Sequence, residues 1–439
     1  MADAGEITHR RVLNIALPIL LSNATVPILG AVDTGVVGQL GLAAPIGAVG
    51  IGAVVLSAIY WIFGFLRMGT TGLVAQARGA GEIAETGAIL MRALMIAATA
   101  GFGFVLLQAG LFWAAFKLAP ASAEVEALAR DYLRIRIWGA PAAIAIYAVT
   151  GWLIATERTR GVFMLQFWMN GLNVALDLWF VLGLGWGVEG VAVATLIAEW
   201  TGLAFGIWLC RPAFSGDQWR DWARIFDRSR LKRMMTVNTG IMVRSVILQV
   251  AFMSFLFIGA RFGDVTLAAN QVILQFLFIM SYALDGFAIA AEPLVGAALG
   301  ARDRAALRRA ALLSSQWGMA IALPVAAFFW QAGPWLIDVM TTSPEVRTEA
   351  RTYLLWVVLA PLVGFPSWML DGIFIGATRV RDMRNAMVVS GLVYLAAVIM
   401  LVPTWQNHGL WLALTIFFLA RAVTLGLRYP ALEASADGA

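Results

Sequence analysis

"GWLIATERTR", residues 151–160, returns as "GIFIGATRVR" at residues 372–381. Each copy is an apolar run closed by threonine and arginine. Three further pairs keep the same order at nearly the same offset. "ARGAGE" (77–82) matches "ALGARD" (298–303), and "YLRI" (132–135) matches "YLLW" (353–356). "EGVAVAT" (189–195) echoes "HGLWLAL" (408–414). Four matches in one order define an internal repeat.

The composition says what solvent the repeat lives in. Of 439 residues, 61% are hydrophobic and 13% charged, where a soluble domain carries about 25% charged residues. The chain reads as an all-α integral membrane protein. Apolar runs between Gly, Pro and charged punctuation predict twelve transmembrane helices, each long enough for a bilayer core. They lie near 12–38, 45–72, 88–116, 126–155, 161–184, 188–210, 233–260, 265–298, 305–332, 346–376, 382–402 and 408–427. Six precede the repeat point and six follow it. An even number preserves orientation, so the two pseudo-symmetric six-helix lobes form a parallel repeat, a plan used by secondary transporters with a central cavity.

The expected division is an amino-terminal lobe over 1–210, a cytoplasmic linker over 211–232 and a carboxy-terminal lobe with its tail over 233–439. The linker, within "RPAFSGDQWRDWARIFDRSRLKR" (211–233), is the only long polar connection. It suggests a short interfacial helix bearing Trp219 and Trp222.

With a cytoplasmic amino terminus, twenty Lys and Arg residues fall on the cytoplasmic side and five on the other. That bias obeys the positive-inside rule and places both termini in the cytoplasm. The net charge of +5 is therefore a topology signal and excludes nucleic acid as a partner. No cleavable signal peptide is expected: the first apolar run is too long and Pro-interrupted. His9, His408 and the lone Cys210 exclude a disulfide framework and a His/Cys metal centre. A phosphate-cradling G-x-x-x-x-G-K-[ST] loop is missing, so ATP is not the direct energy source. No cofactor is expected, and the chain is read as a monomer.

Carboxylates at bilayer depth mark function by default. From Val12 to Leu40 the one charged residue is Asp33. Pro18 and Pro27 precede it and can bend its helix. Burial disfavours the charged form of a carboxylic acid, so a group there can take a proton from one side and release it on the other. Asp177 follows Asn173 by four residues and Asn170 by seven, which puts all three on one helical face. Thr195, on the next helix, could add a hydroxyl. Further acids are Glu199, Asp285, Glu292 and Asp371, with Arg67, Arg244 and Arg421 as possible counter-charges. Asp285 and Glu292, two turns apart, share a face. Ion pairing of these acids with Arg244 or Arg421 stands beside a transport role as an open alternative. Arg134 and Arg136 read as helix-end residues.

Several strings resemble the multidrug and toxic compound extrusion (MATE) family, nearest its DinF-like branch. They are "ALPILLSNATVPILGAVDTGVVGQLG", "FLRMGTTGLVAQARGAG", "NVALDLWFV", "SYALDGFAIAAEPLVGAALGARD" and "MLDGIFIGATRVRDMRNAM". The resemblance covers residues 10 to 427. It implies an antiporter of a bacterial inner membrane, exporting amphiphilic, mostly cationic drugs or toxic compounds against inward H+ or Na+. It further implies that Asp33 is the principal coupling residue, that Asn173, Asp177 and Thr195 complete the site, and that Pro18 marks a bend. Asp371 matches an acid used in the NorM-like branch. The chain departs from relatives in three ways. It lacks the seventh-helix acid of NorM-like members, has Leu29 where some have tyrosine, and has Tyr147 or Thr150 where some have amides. The thinner network favours H+ over Na+.

Two other classes compete. A lipid-linked oligosaccharide flippase shares the lobed plan but would line its cavity with cations, whereas the intramembrane charges here are mixed. A membrane acyltransferase would need a His–acid or metal constellation that His9 and His408 do not provide.

Overall fold

The computed structural model describes residues 6–39, 43–118, 122–216 and 218–437, with backbone alone at 25–35, 37–38, 43, 118 and 218. Its helices are α1 His9–Gly38, α2 Ala43–Ile62, α3 Gly64–Gly79, α4 Ile83–Leu118, α5 Ala123–Arg136, α6 Ala140–Ala155, α7 Thr159–Asp177 and α8 Gly187–Leu209. They continue as α9 Trp222–Ile225, α10 Arg228–Gly259, α11 Asp264–Gly300, α12 Arg304–Met340, α13 Pro344–Gly376, α14 Val380–Gly426 and α15 Tyr429–Ala434.

Nine stretches among the described residues are apolar and long enough to cross a bilayer. Two of them join short helices, α2 with α3 and α5 with α6. α1, and α7 with the π-helical turn Leu178–Gly183 that extends it, bring the number to eleven.

α14 supplies the twelfth, because it is two limbs. Gln406 has φ 47° and ψ −125°, outside helical space, and Tyr394 and Phe417 touch at 5.7 Å between ring centroids. In one straight helix those rings would stand about 34 Å apart. The chain reverses at Gln406, between Pro403 and His408. Gly409 permits the reversal, since a Cβ there would fall on the Leu401 carbonyl.

The repeated strings are repeated geometry. After α6, Arg158 N–H donates to Leu153 O at 2.8 Å and Glu157 N–H to Ile154 O at 2.9 Å. After α13, Arg379 donates to Phe374 O at 3.0 Å and Thr378 to Ile375 O at 2.9 Å. Both are Schellman endings, which need a left-handed residue one place past the cap. Glu157 (φ 59°) and Thr378 (φ 51°) supply it, at matching positions of the two strings. In the next pair, Gly81 (φ 76°) matches Arg302 (φ 57°). Gly187 (φ 57°) stands against Gln406 in the faintest match.

A non-glycine residue in this region is held by its surroundings at a cost of about 1–2 kcal/mol. Arg302→Gly, which copies Gly81, is therefore expected to stabilise the protein by about 0.5–1 kcal/mol after glycine's own entropy penalty. Thermal melts of purified protein check it.

The described chain forms two compact units. One holds residues 1–20, 75–81 and 233–439, and the other residues 21–74 and 82–232. In the first, α13 approaches α11 through the G-x-x-x-G pair Gly372/Gly376, while Gly296 and Gly300 of α11 make room for the last turn of α3. A Cβ on Gly372 would meet the backbone of Ala288, and one on Gly376 the backbone of Glu292. Without a hydrophobic drive in lipid, such close contact is what holds helices together. The last turn of α3 packs here as well. Gln76 Nε2 donates to Gly376 O and Thr378 Oγ1, both at 3.0 Å, and Gln76 Oε1 accepts from Arg233 Nη2 at 2.6 Å. The core is aromatic, with Phe255 and Trp411 edge to face at 4.7 Å.

In the second unit the linker folds against the start of α4. Arg92 donates to Ile225 O at 2.8 Å, Arg224 O at 2.6 Å and Glu85 at 2.7 Å. Of the short helix expected to bear Trp219 and Trp222, α9 carries only Trp222, stacked on Phe226 with both exposed, and Trp219 lies in a separate 3-10 turn, Gln218–Arg220. Asp221 caps α9, and the Arg224 backbone N–H holds that carboxyl below its ordinary range.

Candidate functional site

α7 and α8 place the amino-terminal candidates. Asn173 and Asp177, one turn apart on α7, are both buried, Asp177 completely. Asn173 Nδ2 donates to Thr195 Oγ1 on α8 at 3.0 Å, and the Thr195 hydroxyl donates to Val191 O at 2.9 Å. The Asn173 Oδ1 acceptor has no partner among the described residues. The carboxylate, amide and hydroxyl expected to work together thus lie on two adjoining helices. Directly after Asp177 the helix widens into the π turn, a distortion often found at functional sites. Asn170 is half-buried on the same helix.

The side chains of Asp33 and Pro27 lie outside the described residues; the backbone of α1 stays helical through Pro18, Pro27 and Asp33. Tyr147 and Thr150 make no hydrogen bond to Asn173 or Thr195. Tyr147 instead lies within electrostatic reach of Arg67 and Glu199.

Glu199 belongs to a second buried cluster, one turn beyond Thr195 on α8. Its carboxylate accepts two bonds from Arg136, at 2.8 and 3.0 Å. Both residues are less than 10% exposed. Arg136 does end α5, but that end lies inside a membrane span. A 3-10 turn, Ile137–Gly139, joins α5 to α6 there. Trp200 Nε1 donates to Trp138 O at 3.0 Å, holding the turn to α8. Gly139 is required for space, since a Cβ would run into Glu199 Oε2. The four-residue step from Thr195 places Glu199 on the same face of α8, but no spacing in the sequence pairs it with Arg136.

In the other unit, Asp371 Oδ2 accepts from Nη2 of both Arg244 and Arg421. The ion-pairing alternative is the arrangement observed, with both arginines rather than one. Asp285 acts electrostatically on Arg421. Glu292, two turns further along α11, is fully buried. The same unit holds a neutral network not foreseen from sequence. Asn270 and Asn407 exchange amide hydrogen bonds at 2.8 and 2.9 Å, and Trp411 Nε1 donates to Asn270 at 2.9 Å. Among the described residues no group of three His, Cys, Asp or Glu could hold a metal ion.

Known proteins share the whole of this architecture. The MatE family profile matches residues 18–179 and again residues 241–402, once in each half of the repeat. DNA damage-inducible protein F of Escherichia coli is 37% identical over 94% of this chain and 90% of its own length. A probable multidrug resistance protein NorM of Xanthomonas campestris is 27% identical over 94% and 92%. Among solved structures, the Vibrio cholerae MATE transporter VcmN in the bent form superposes with a TM-score of 0.87 at 20% identity, covering 98% of each chain. These relatives are transporters rather than enzymes. With two matches to the family profile spanning most of its length, the chain belongs to the MatE family of multi-pass membrane transporters.

Proposed function

We propose that this protein is a secondary active antiporter that exports amphiphilic, mostly cationic compounds in exchange for inward H+. The observation that carries the reading is the buried group of Asn173, Asp177 and Thr195 on the adjoining helices α7 and α8. A carboxylate one helical turn from an amide, on a helix that adjoins the hydroxyl, can share a proton with such groups. Asp33, on α1, is the proposed entry point for the proton, and Pro18 and Pro27 let that helix bend. The names of the curated relatives, multidrug resistance protein among them, support a drug-like substrate class. The proposed setting is a bacterial inner membrane, with both termini cytoplasmic by the arginine bias.

Na+ is the second candidate ion. Its hard-cation chemistry wants several oxygen ligands, and Thr195 Oγ1 already accepts from Asn173 Nδ2, which leaves Asn173 Oδ1 as the amide oxygen a cation could use. The flippase alternative is weakened by the carboxy-terminal cluster, where the guanidiniums of Arg244 and Arg421 are already taken by Asp371.

Ethidium efflux from cells lacking their own pumps tests the proposal. Asp33→Asn is expected to lower efflux to the level of cells without the transporter, at equal expression. Wild-type efflux from that variant would remove Asp33 from the mechanism.

A further inference from the structure

α12 carries its positive charges at one end. Arg304, Arg308 and Arg309 fall in its first two turns, and no charged residue follows until Asp338. The arginines therefore stand at the rim of an apolar span. Arg304, Arg308, Leu312 and Gln316 follow at four-residue steps, which sets them one above another on a single helix face. With Arg309 and with Glu433 of α15 they line a cavity of about 550 Å3, the size of a small-ligand site. From Arg304 to Gln316 the stripe runs about 18 Å along the helix axis. All of these residues belong to the same compact unit.

The three arginines are not equally engaged. Arg304 is held by α15 and the tail: Nε donates to Glu433 Oε1 at 3.0 Å and Nη1 to Asp437 Oδ2 at 2.7 Å. Arg309 pairs with Glu6 at 3.1 Å, but the two side chains are 51% and 72% exposed. An ion pair so open to solvent contributes little and is readily exchanged. Arg308 is exposed and forms no salt bridge among the described residues. One turn further into the span, Leu312 is 51% exposed. A guanidinium without a protein anion thus stands directly above an open apolar side chain, inside a cavity.

This combination selects its occupant. Guanidiniums bind phosphate oxygens through paired, charge-assisted hydrogen bonds. Free phosphate or an acidic peptide would satisfy the arginines and leave Leu312 uncovered. A zwitterionic lipid would bring its own cation to a basic rim. A phosphate without a cation, joined to an acyl chain, fits both ends. We infer that the groove binds one anionic phospholipid, from the leaflet on the arginine-rich side of the membrane. Its headgroup phosphate sits on Arg308 and on Arg309, which exchanges Glu6 for it, and an acyl chain runs along Leu312. Arg304 stays with α15 and forms the wall. Basic pockets at helix ends are a general mode of recognising such headgroups. The site requires a membrane protein and is independent of the antiport reading.

The test is native mass spectrometry of the purified full-length protein, titrated with dioleoylphosphatidylglycerol or with dioleoylphosphatidylcholine. Wild type is expected to hold phosphatidylglycerol at one saturable site and phosphatidylcholine more weakly. Arg308→Gln is expected to weaken phosphatidylglycerol binding about fivefold, and Arg308→Gln with Arg309→Gln roughly thirtyfold, the effect of one surface arginine each. Both positions are exposed, so melting temperatures are expected to stay near wild type. The control is Arg381→Gln with Arg384→Gln, which removes the same charge from the exposed start of α14 and is expected to bind as wild type. An equal loss in the control would overturn the inference, because the attraction would belong to basic surface in general. Undiminished binding by the folded Arg308 and Arg309 double variant would overturn it as well, and so would equal retention of phosphatidylcholine. Inorganic phosphate is expected to leave the lipid in place; complete displacement would show a site for a free anion and contradict the lipid assignment.

Discussion

Replacing Glu199 with leucine is expected to cost the protein about 3–5 kcal/mol of stability, the range for removing one partner of a buried ion pair. Arg136 stays behind, buried, with its charge intact and its two charge-assisted bonds lost. The guanidinium cannot neutralise itself by losing a proton. Melting temperatures of the purified variant report the loss. The control is Glu199→Leu with Arg136→Met, which removes both charges. Apolar replacement of a whole buried pair is often neutral or better, so the double variant should recover most of the stability. If single and double variants melt alike, the pair is not what holds α8 to the Ile137–Gly139 turn. Because Thr195 is one turn from Glu199 on α8, the single variant should also weaken transport.

Asp177→Asn is expected to act on transport and not on stability. The two side chains have nearly the same shape, and the Asn173–Thr195 hydrogen bond at 3.0 Å does not involve the changed atoms. What disappears is the ionisable group. Coupling free energies between two sites run to about 1–3 kcal/mol, or 5–150-fold. Drug accumulation driven by a pH gradient in proteoliposomes is expected to fall by a factor in that range, with the melting temperature little changed. Undiminished accumulation by a folded Asp177→Asn protein would show that the proton is carried elsewhere.

Much of the fold could be read from the chain, because lipid leaves few options. Backbone groups in a bilayer must bond within their own helix, so the apolar runs between punctuation marks became helical, two of them, 45–72 and 126–155, as pairs of shorter helices. The repeat was legible for a further reason. Two of its four string pairs are helix endings, and a left-handed helix ending places strict demands on the backbone. Glu157 and Thr378 meet the same demand with unrelated side chains, and Gly81 and Arg302 do so again.

The site was legible where it is local. Asn173 and Asp177 share a face because they are four residues apart, and a helix decides that alone. Pairing across helices was not legible. Arg136 and Glu199 are 63 residues apart, and neither periodicity nor spacing joins α5 to α8. Only packing does, through a turn that needs Gly139. Asp371 is intermediate: both arginines were visible as counter-charges, but sequence offers no geometry for choosing between them, and the fold uses both. The π turn after Asp177 was hidden altogether, since "LWFVLG" contains no proline to announce it.

The most direct test of the central claim is drug uptake by reconstituted wild-type protein under a pH gradient alone and a Na+ gradient alone, each at zero membrane potential. Proton antiport through the amino-terminal unit predicts accumulation driven by the pH gradient and none driven by Na+. Accumulation under the Na+ gradient, with none under the pH gradient, would contradict it.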